Sequence, residues 1–338
     1  MLPCYLGSMD ITEIKAQTPR TLLGAIRYFK NSQIGIDFLA AIRWPDGVRC
    51  PTCGSDRVGW LAKYQRWSCS SRHPKRQFSV KIGTIFEDSP IGLDKWLPAM
   101  WLIVSCKNGI SSYELARGIG VKQQTAWFML ARLRLALQRG TFDKPMGADG
   151  GEVEADETFI GGLARFMHKD KRAKKITGTG GSGKSIVAGL LDRQTRKVRV
   201  KHVANRDAKT LHAHVKANVE KGAQLMTDEL ASYTGLDKEY VHQFVNHAEE
   251  YVKGNVHTQG IDNFWALLKR MIKGTYVSVE PFHLFRYLDE EAFRFNERGN
   301  EDGDAGRFIE ALSTVVGRRL TYKELIGNAA EPTIATAN

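Results

Sequence analysis

Cys50, Cys53, Cys69 and His73 stand in the pattern C-x2-C, fifteen residues, C-x3-H. Two close pairs on tight turns can supply four soft or borderline ligands to one tetrahedral Zn²⁺. Gly54 follows the first pair and lets the backbone curl around a metal. The segment is too short and polar to bury a core of its own, so the metal would supply its folding free energy. Four protein ligands leave no open position, which makes such a zinc structural and not catalytic. Cys4 and Cys106 remain as free thiols.

A second chemistry needs oxygen ligands. Asp156 lies in the alternating run Val153-Glu154-Ala155-Asp156-Glu157-Thr158-Phe159, and Asp228 ends the run Leu225-Met226-Thr227-Asp228. Asp262 opens a helical pattern, Ile261-Asp262-Asn263-Phe264-Trp265, with Lys269 and Arg270 two turns on. Acids at the ends of adjacent strands, joined by one from a helix, can hold hard divalent ions. Two such ions about 4 Å apart clamp the attacking and leaving oxygens of a phosphodiester. The chain has 37 acids, and alternation alone does not select these three. Residues 178–185, GTGGSGKS, match the phosphate-binding pattern G-x4-G-K-S. That loop needs a buried strand before it and a helix after it. Here a basic stretch precedes it and the β-branched SIVAGLLD follows, so it reads as a Gly/Ser loop between strands.

The elements that must position these residues follow from periodicity. Residues 20–43 read as two short amphipathic helices broken near Asn31–Gly35, and 44–86 as a turn-rich segment with β-type runs such as RQFSVKIGTIF. Residues 90–138 are helical, in three pieces. A Gly/Asp-rich linker spans 140–151. Strands then dominate, including a hairpin turning at Asp192–Lys197, followed by helices over 208–220, 260–274 and 281–298. One more helical pattern, RFIEALSTVVGRRL, sits in the tail. No internal repeat is present.

Within the helical stretch, SSYELARGIGVKQQTAWFMLARLRLAL has the form of two helices joined by a short Gly-containing turn. In a helix-turn-helix the second helix meets base edges with its N-terminal residues. Those residues here are Lys122, Gln123, Gln124 and Thr125; Gln suits adenine, and Lys suits phosphate or guanine. Trp127, Phe128, Leu130, Leu133 and Leu135 would face the helical core.

Charge points to the same class of partner. The 338 residues carry 49 Lys+Arg and 37 Asp+Glu, a net of +12. Residues 1–149 hold 21 bases and 11 acids, and residues 165–201 hold 12 bases and 2 acids, so each block is +10. Between them Glu152, Glu154, Asp156 and Glu157 form a short acidic strip. Basic blocks flanking concentrated carboxylates suit an enzyme that binds a polyanion, most simply nucleic acid, together with metal ions. The longest uncharged apolar run, Trp96 to Cys106, is half of what a membrane span needs, and no secretory signal opens the chain.

Several longer motifs carry a family resemblance. FLAAIRWPDGVRCPTCGS, RQFSVKIGTIFEDSPIGLDKW, ELARGIGVKQQTAWFMLARLR, VEADETFIGG, HTQGIDNFWALLKRMIKGTY and FRYLDEEAFRFNER resemble the DDE transposases of bacterial insertion sequences. The group in question bears an N-terminal zinc ribbon and is related to the eukaryotic Merlin elements. The resemblance covers residues 20 to 298. It implies an α/β fold with a ribonuclease H-like catalytic core, preceded by a zinc ribbon and a helix-turn-helix segment. The expected organisation is a helical segment over 1–40, the ribbon over 41–86, the helix-turn-helix over 87–140, the catalytic domain over 150–298 and a tail over 299–338. The implied activity is Mg²⁺- or Mn²⁺-dependent cleavage at element ends, with joining of the 3′-OH to target DNA. The partners are terminal inverted repeats and target DNA, handled by a homodimer or larger assembly in the bacterial cytoplasm, at the nucleoid and not at a membrane.

Carried over by residue, the first acid of the triad is Asp156, the second is Asp228, and the third position falls at Asp262 or Asn263. Many relatives carry Glu where this chain has Asp262, one methylene shorter. Lys269 and Arg270 match the family's basic pair, and Lys269 shares a helix face with Asp262, seven residues earlier. The family's ribbon often ends in a second C-x2-C, which the Cys69-x3-His73 variant replaces here. Two other readings remain: a non-catalytic DNA-binding regulator, which leaves 152–298 without a role, and an ATPase resting on Lys184.

Overall fold

A computed structural model describes residues 11–138, 144–162, 168–170, 181, 183–228, 231–245 and 257–328. The chain divides into two units, residues 138–297 and the remainder. The N-terminal octapeptide, the end of the tail, part of the 165–201 basic block and half of the GTGGSGKS match lie outside the described residues.

The first unit opens with α1 (Ile11–Gln17), α2 (Leu22–Phe29) and α3 (Ser32–Arg43). Thr21 and Asn31 cap the second and third of these by accepting from Gly24 N and Gln33 N. An antiparallel three-stranded sheet follows: β1 (Val58–Leu61), β2 (Arg66–Cys69) and β3 (Gln77–Phe78). Its small core is aromatic, with Trp67 stacked on Phe78 and flanked by Trp44 and Trp60. The β-type run RQFSVKIGTIF forms a strand only at Gln77–Phe78. The backbone then turns through Gly83, at φ +71°, and Lys81 Nζ donates to the carbonyls of Ser89 and Ile91. Val80, Ile85 and Phe86 are still buried, so the apolar residues of that run pack from turns and not from a strand.

Helix α4 (Leu93–Ser105) is buried on most sides, as its composition requires, and α5 (Ser112–Ile119) and α6 (Gln123–Leu137) pack beside it. The 299–328 segment belongs to this unit. Phe308 of α10 (Gly303–Ser313) lies among Phe29, Phe38 and Trp101, at centroid distances of 5.8, 6.2 and 5.3 Å. The helical pattern over RFIEALSTVVGRRL ends at Ser313. The β-branched Val315 and Val316 leave the helix and pair with the chain at Thr84 and Ile85. The short α11 (Tyr322–Leu325) closes the described tail.

The second unit is built on a five-stranded sheet in the order β6-β5-β4-β7-β8. These are β4 (Glu152–Ile160), β5 (Ser185–Asp192), β6 (Lys197–Val203), β7 (Gln224–Asp228) and β8 (Val241–Val245). The first three form an antiparallel meander, and β7 and β8 run parallel to β4. The parallel return to β7 is made through α7 (Ala208–Asn218), capped by Asp207. Leu211 and Val215 of that helix pack with Val153, Ala155, Ala188, Leu190 and Leu225 on one face of the sheet. On the other face, Val187, Leu191 and Val198 meet the apolar stripe of α8 (Gln259–Met271) and residues of α9 (Leu284–Asn296). The unit is therefore an α/β/α sandwich with β4 at its centre. Ser185, the last residue of the G-x4-G-K-S match, begins a strand, so no helix N-terminus follows that loop.

Candidate active site and metal sites

The central strand presents its residues alternately to the two helical layers. Val153 and Ala155 enter the α7-side core. Glu154 and Asp156 turn toward α8, where Ile261 N donates to Glu154 Oε2 at 2.8 Å and Trp265 Nε1 donates to Asp156 Oδ2 at 2.8 Å. Because β4 and β7 are parallel with Glu154 paired to Met226, two further residues bring Asp156 beside Asp228. Oxygens of Asp156, Glu157 and Asp228 all lie within 4.8 Å of one another. The two acids selected by sequence thus meet, Asp228 from the end of β7 but Asp156 from the middle of β4 and not from its end, and Glu157 joins them.

Glu157 is a residue that the sequence reading missed. Strict alternation puts it on the opposite face from Asp156, and its partners confirm that side. Tyr233, part of the α7-side core, donates its hydroxyl to Glu157 Oε2 at 3.2 Å, and Arg206 lies 3.6 Å from Oε1. Its one sequence signal is adjacency to Asp156. Burial, together with Asp228 and Glu157, raises the Asp156 carboxyl to about 7 against the lowering effect of the Trp265 hydrogen bond. Burial and Asp228 also raise Glu157, opposed by Tyr233 and Arg206. Concentrated carboxylates whose ionisation is held back in this way are a receptive site for cations, which remove the repulsion. The hard oxygen donors fit Mg²⁺ or Mn²⁺.

Asp262 and Asn263 occupy the first turn of α8 and are exposed. Asp262 Oδ2 accepts from Thr258 Oγ1 at 3.4 Å, and Asp262 is not among the clustered oxygens of the described residues. The helix itself is nonetheless fastened to β4. Glu154, 1% exposed, accepts from Arg193 Nε at 2.7 Å as well as from Ile261 N. Arg193 also pairs with Glu152 at 3.0 Å and donates to the His257 carbonyl at 2.6 Å. Gly260 permits this approach, since a Cβ there would stand 2.8 Å from Glu154 Oε2. Lys269 is half-buried and Arg270 exposed further along α8.

The cysteine cluster forms as its spacing predicts. Ligand atoms of Cys50, Cys53, Cys69 and His73 lie within 4.8 Å of one another. Cys50 Sγ is 3.4 Å from His73 Nε2, and Cys53 Sγ is 3.7 Å from Cys69 Sγ. A tetrahedron with Zn–S bonds of about 2.3 Å has edges of about 3.8 Å, so the donors stand at the separations a zinc ion requires. Gly54, at φ +72°, turns the chain after the first pair. Burial works against ionisation of the Cys69 thiol. Hydrogen bonds involving His73, the Ser71 amide and Cys53 nevertheless bring it down to about 6, toward the thiolate that a metal binds.

The helix pair α5–α6 begins with a capping box, Ser111 with Glu114, and turns at Gly120, which is left-handed at φ +64°. At the start of the second helix Lys122 and Gln124 are exposed, whereas Gln123 and Thr125 are half-buried and Gln123 Nε2 donates to Ser112 Oγ at 2.8 Å. Lys122 and Gln124 are therefore the two of the four most available to a ligand. Leu130, Leu133 and Leu135 are buried, with Trp127 and Phe128 half-buried.

With this geometry in place, similarity to known proteins becomes specific. Residues 149–296 match the family described as the ISXO2-like transposase domain. Residues 35–71 match the transposase zinc-ribbon domain. A relative described as an uncharacterized protein in transposable element ISH50 of Halobacterium salinarum is 28% identical over 262 residues, covering 73% of this chain and 85% of the relative. Among the described residues no helix is long and apolar enough to cross a membrane.

Proposed function

We infer that this chain, which belongs with the zinc-ribbon transposases of insertion sequences, cleaves element ends and joins the freed 3′-OH to target DNA. The observation that carries the reading is the meeting of Asp156 and Asp228 at the centre of the sheet, within 4.8 Å of each other and beside Glu157. The order β6-β5-β4-β7-β8, an antiparallel meander extended by two parallel strands, supports a ribonuclease H-like core. Asp156 and Asp228 would hold the catalytic ions, with Asp262 or Asn263 contributed from α8. Mg²⁺ or Mn²⁺, when bound there, supplies Lewis-acid stabilisation of the attacking and leaving oxygens.

The protein's own part is placement. Lys269, on the helix that Glu154 and Trp265 fasten to β4, is set to hold a DNA phosphate. The phosphodiester at the element end is first opened by water, which leaves a 3′-OH on the element. That hydroxyl then attacks a target phosphodiester and displaces the 3′-oxygen of the target strand, so one bond forms as one breaks. The zinc ribbon, folded around a structural zinc ion at Cys50, Cys53, Cys69 and His73, would bind the terminal repeats together with Lys122 and Gln124 of the helix-turn-helix. Processing two ends together would call on at least two copies of the chain in the working complex.

A labelled terminal inverted repeat incubated with target DNA and Mg²⁺ tests the reading. Wild-type protein should give joined products that Asp156→Ala abolishes, and joining at the wild-type rate by that variant would overturn the assignment. The exposed position of Asp262 favours the rival reading of a DNA-binding regulator, which predicts specific binding with no metal-dependent cleavage.

A further inference from the structure

A buried indole must find an acceptor for its N–H, because Trp has a donor and nothing else to offer. Trp265 is 3% exposed, and the acceptor that it meets is Asp156 Oδ2 at 2.8 Å. Its place is made by the residue across the strand pair. Gly189 of β5 is the register partner of Asp156. A Cβ at Gly189 would stand 2.5 Å from Trp265 Cη2 and 2.6 Å from Cζ2, closer than real atoms approach. The missing side chain at 189 and the indole at 265 are therefore one arrangement, seated directly beside the carboxylate.

We propose that Trp265 is a positioning residue for metal binding: its N–H holds Asp156 in one orientation, and Gly189 is required for the ring to reach it. The inference rests on the reading of Asp156 and Asp228 as the metal-holding pair. The bond takes one oxygen of the carboxylate and fixes its rotation, which leaves Oδ1 free of that bond for an ion shared with Asp228. The helix gains in turn, since the residue that orients Asp156 lies one turn beyond Asp262 and couples α8 to the same carboxylate. Partners that orient a metal ligand are worth about 10- to 100-fold in metal affinity.

Trp265→Phe keeps the ring in the core and removes the N–H. The test is Mn²⁺ binding to zinc-loaded full-length protein, followed by electron paramagnetic resonance without DNA, alongside strand cleavage as a function of Mn²⁺ concentration. The expected result is Mn²⁺ affinity at least about 10-fold weaker, with cleavage recovering toward the wild-type rate at high Mn²⁺. Gly189→Ala, which displaces the ring without touching its chemistry, should weaken binding in the same direction. If Trp265→Phe and Gly189→Ala both bind Mn²⁺ within about twofold of wild type while Asp156→Ala loses it, the inference fails and the metal-site reading stands. If wild-type protein binds no Mn²⁺ at this site, both fail.

Discussion

The raised Asp156 carboxyl gives a stability change whose sign and size follow from the site. In the metal-free protein this group is held at about 7 by burial and by Asp228 and Glu157, against 3.8 in the ordinary state. Its folded value lies above its unfolded value, so the proton favours the fold. The contribution is complete below about pH 4 and is lost as pH rises through 7. Each pH unit in that window costs about 1.4 kcal/mol, for a total on the order of 4 kcal/mol. His214 runs the other way. Burial and the nearby Lys201 and Arg199 lower it to about 4, so it withdraws stability as pH falls below its unfolded value. The informative quantity is therefore the difference between wild type and Asp156→Asn, measured by urea denaturation at several pH values. Hydrogen exchange of β4 and β5 peptides reports this unit separately from the zinc ribbon. Chelators must be left out, since they would strip the ribbon. The wild-type advantage should shrink steadily from about pH 4 to pH 7, and saturating Mg²⁺ should flatten the slope by replacing the proton. A difference that is constant across this range would refute the argument that Asp156 is desolvated beside like charges.

Other expectations concern the supports of the two candidate metal sites. Glu154→Ala removes the buried acceptor of Arg193 and of the α8 amide at Ile261. It should cost about 3 kcal/mol in urea denaturation, the low end for a broken buried pair because Glu152 still holds Arg193, while Glu154→Gln should cost less. An unchanged midpoint for Glu154→Ala would contradict the anchoring role. Cys53→Ser should lose the bound zinc equivalent by elemental analysis and open the ribbon to trypsin at Arg57 and Arg66, with exchange in β4 unaltered. Retention of full zinc occupancy would remove Cys53 from the ligand set.

The parts of this molecule that could be read from sequence are those fixed by short-range chemistry. C-x2-C and C-x3-H place donors within a turn of each other, so the zinc cluster needed no knowledge of the fold. Alternation in β4 separates Val153 and Ala155 from Glu154 and Asp156, and the boundary of β7 places Asp228 at its end. The parallel pairing that brings the middle of β4 beside the end of β7 was available through the family resemblance and not from spacing. Residues that act across the fold were less visible. Trp265 reads as one more apolar position on a helical stripe, since its hydrogen-bond partner lies 109 residues away. Glu157 joins the cluster from the wrong side of an alternating strand. The rotation of α8 that leaves Asp262 exposed is set by buried contacts to β4 and β5, which no local pattern encodes. In the tail, Phe308 and Val315 complete a core begun at residues 29–101, and the helical pattern past Ser313 gives way to pairing with residues near Thr84.

The central claim is that Asp156 and Asp228 together hold the ions for phosphoryl transfer on DNA. Its most direct measurement is the fate of a terminal repeat labelled at the 5′ end of the strand to be transferred, in a single reaction, with Mg²⁺ present or withheld. The account predicts a labelled strand covalently joined to target DNA when Mg²⁺ is present. It predicts no joined strand without Mg²⁺ or with either Asp156→Ala or Asp228→Ala. Joined product that forms without a divalent ion, or that persists in both variants, would contradict it.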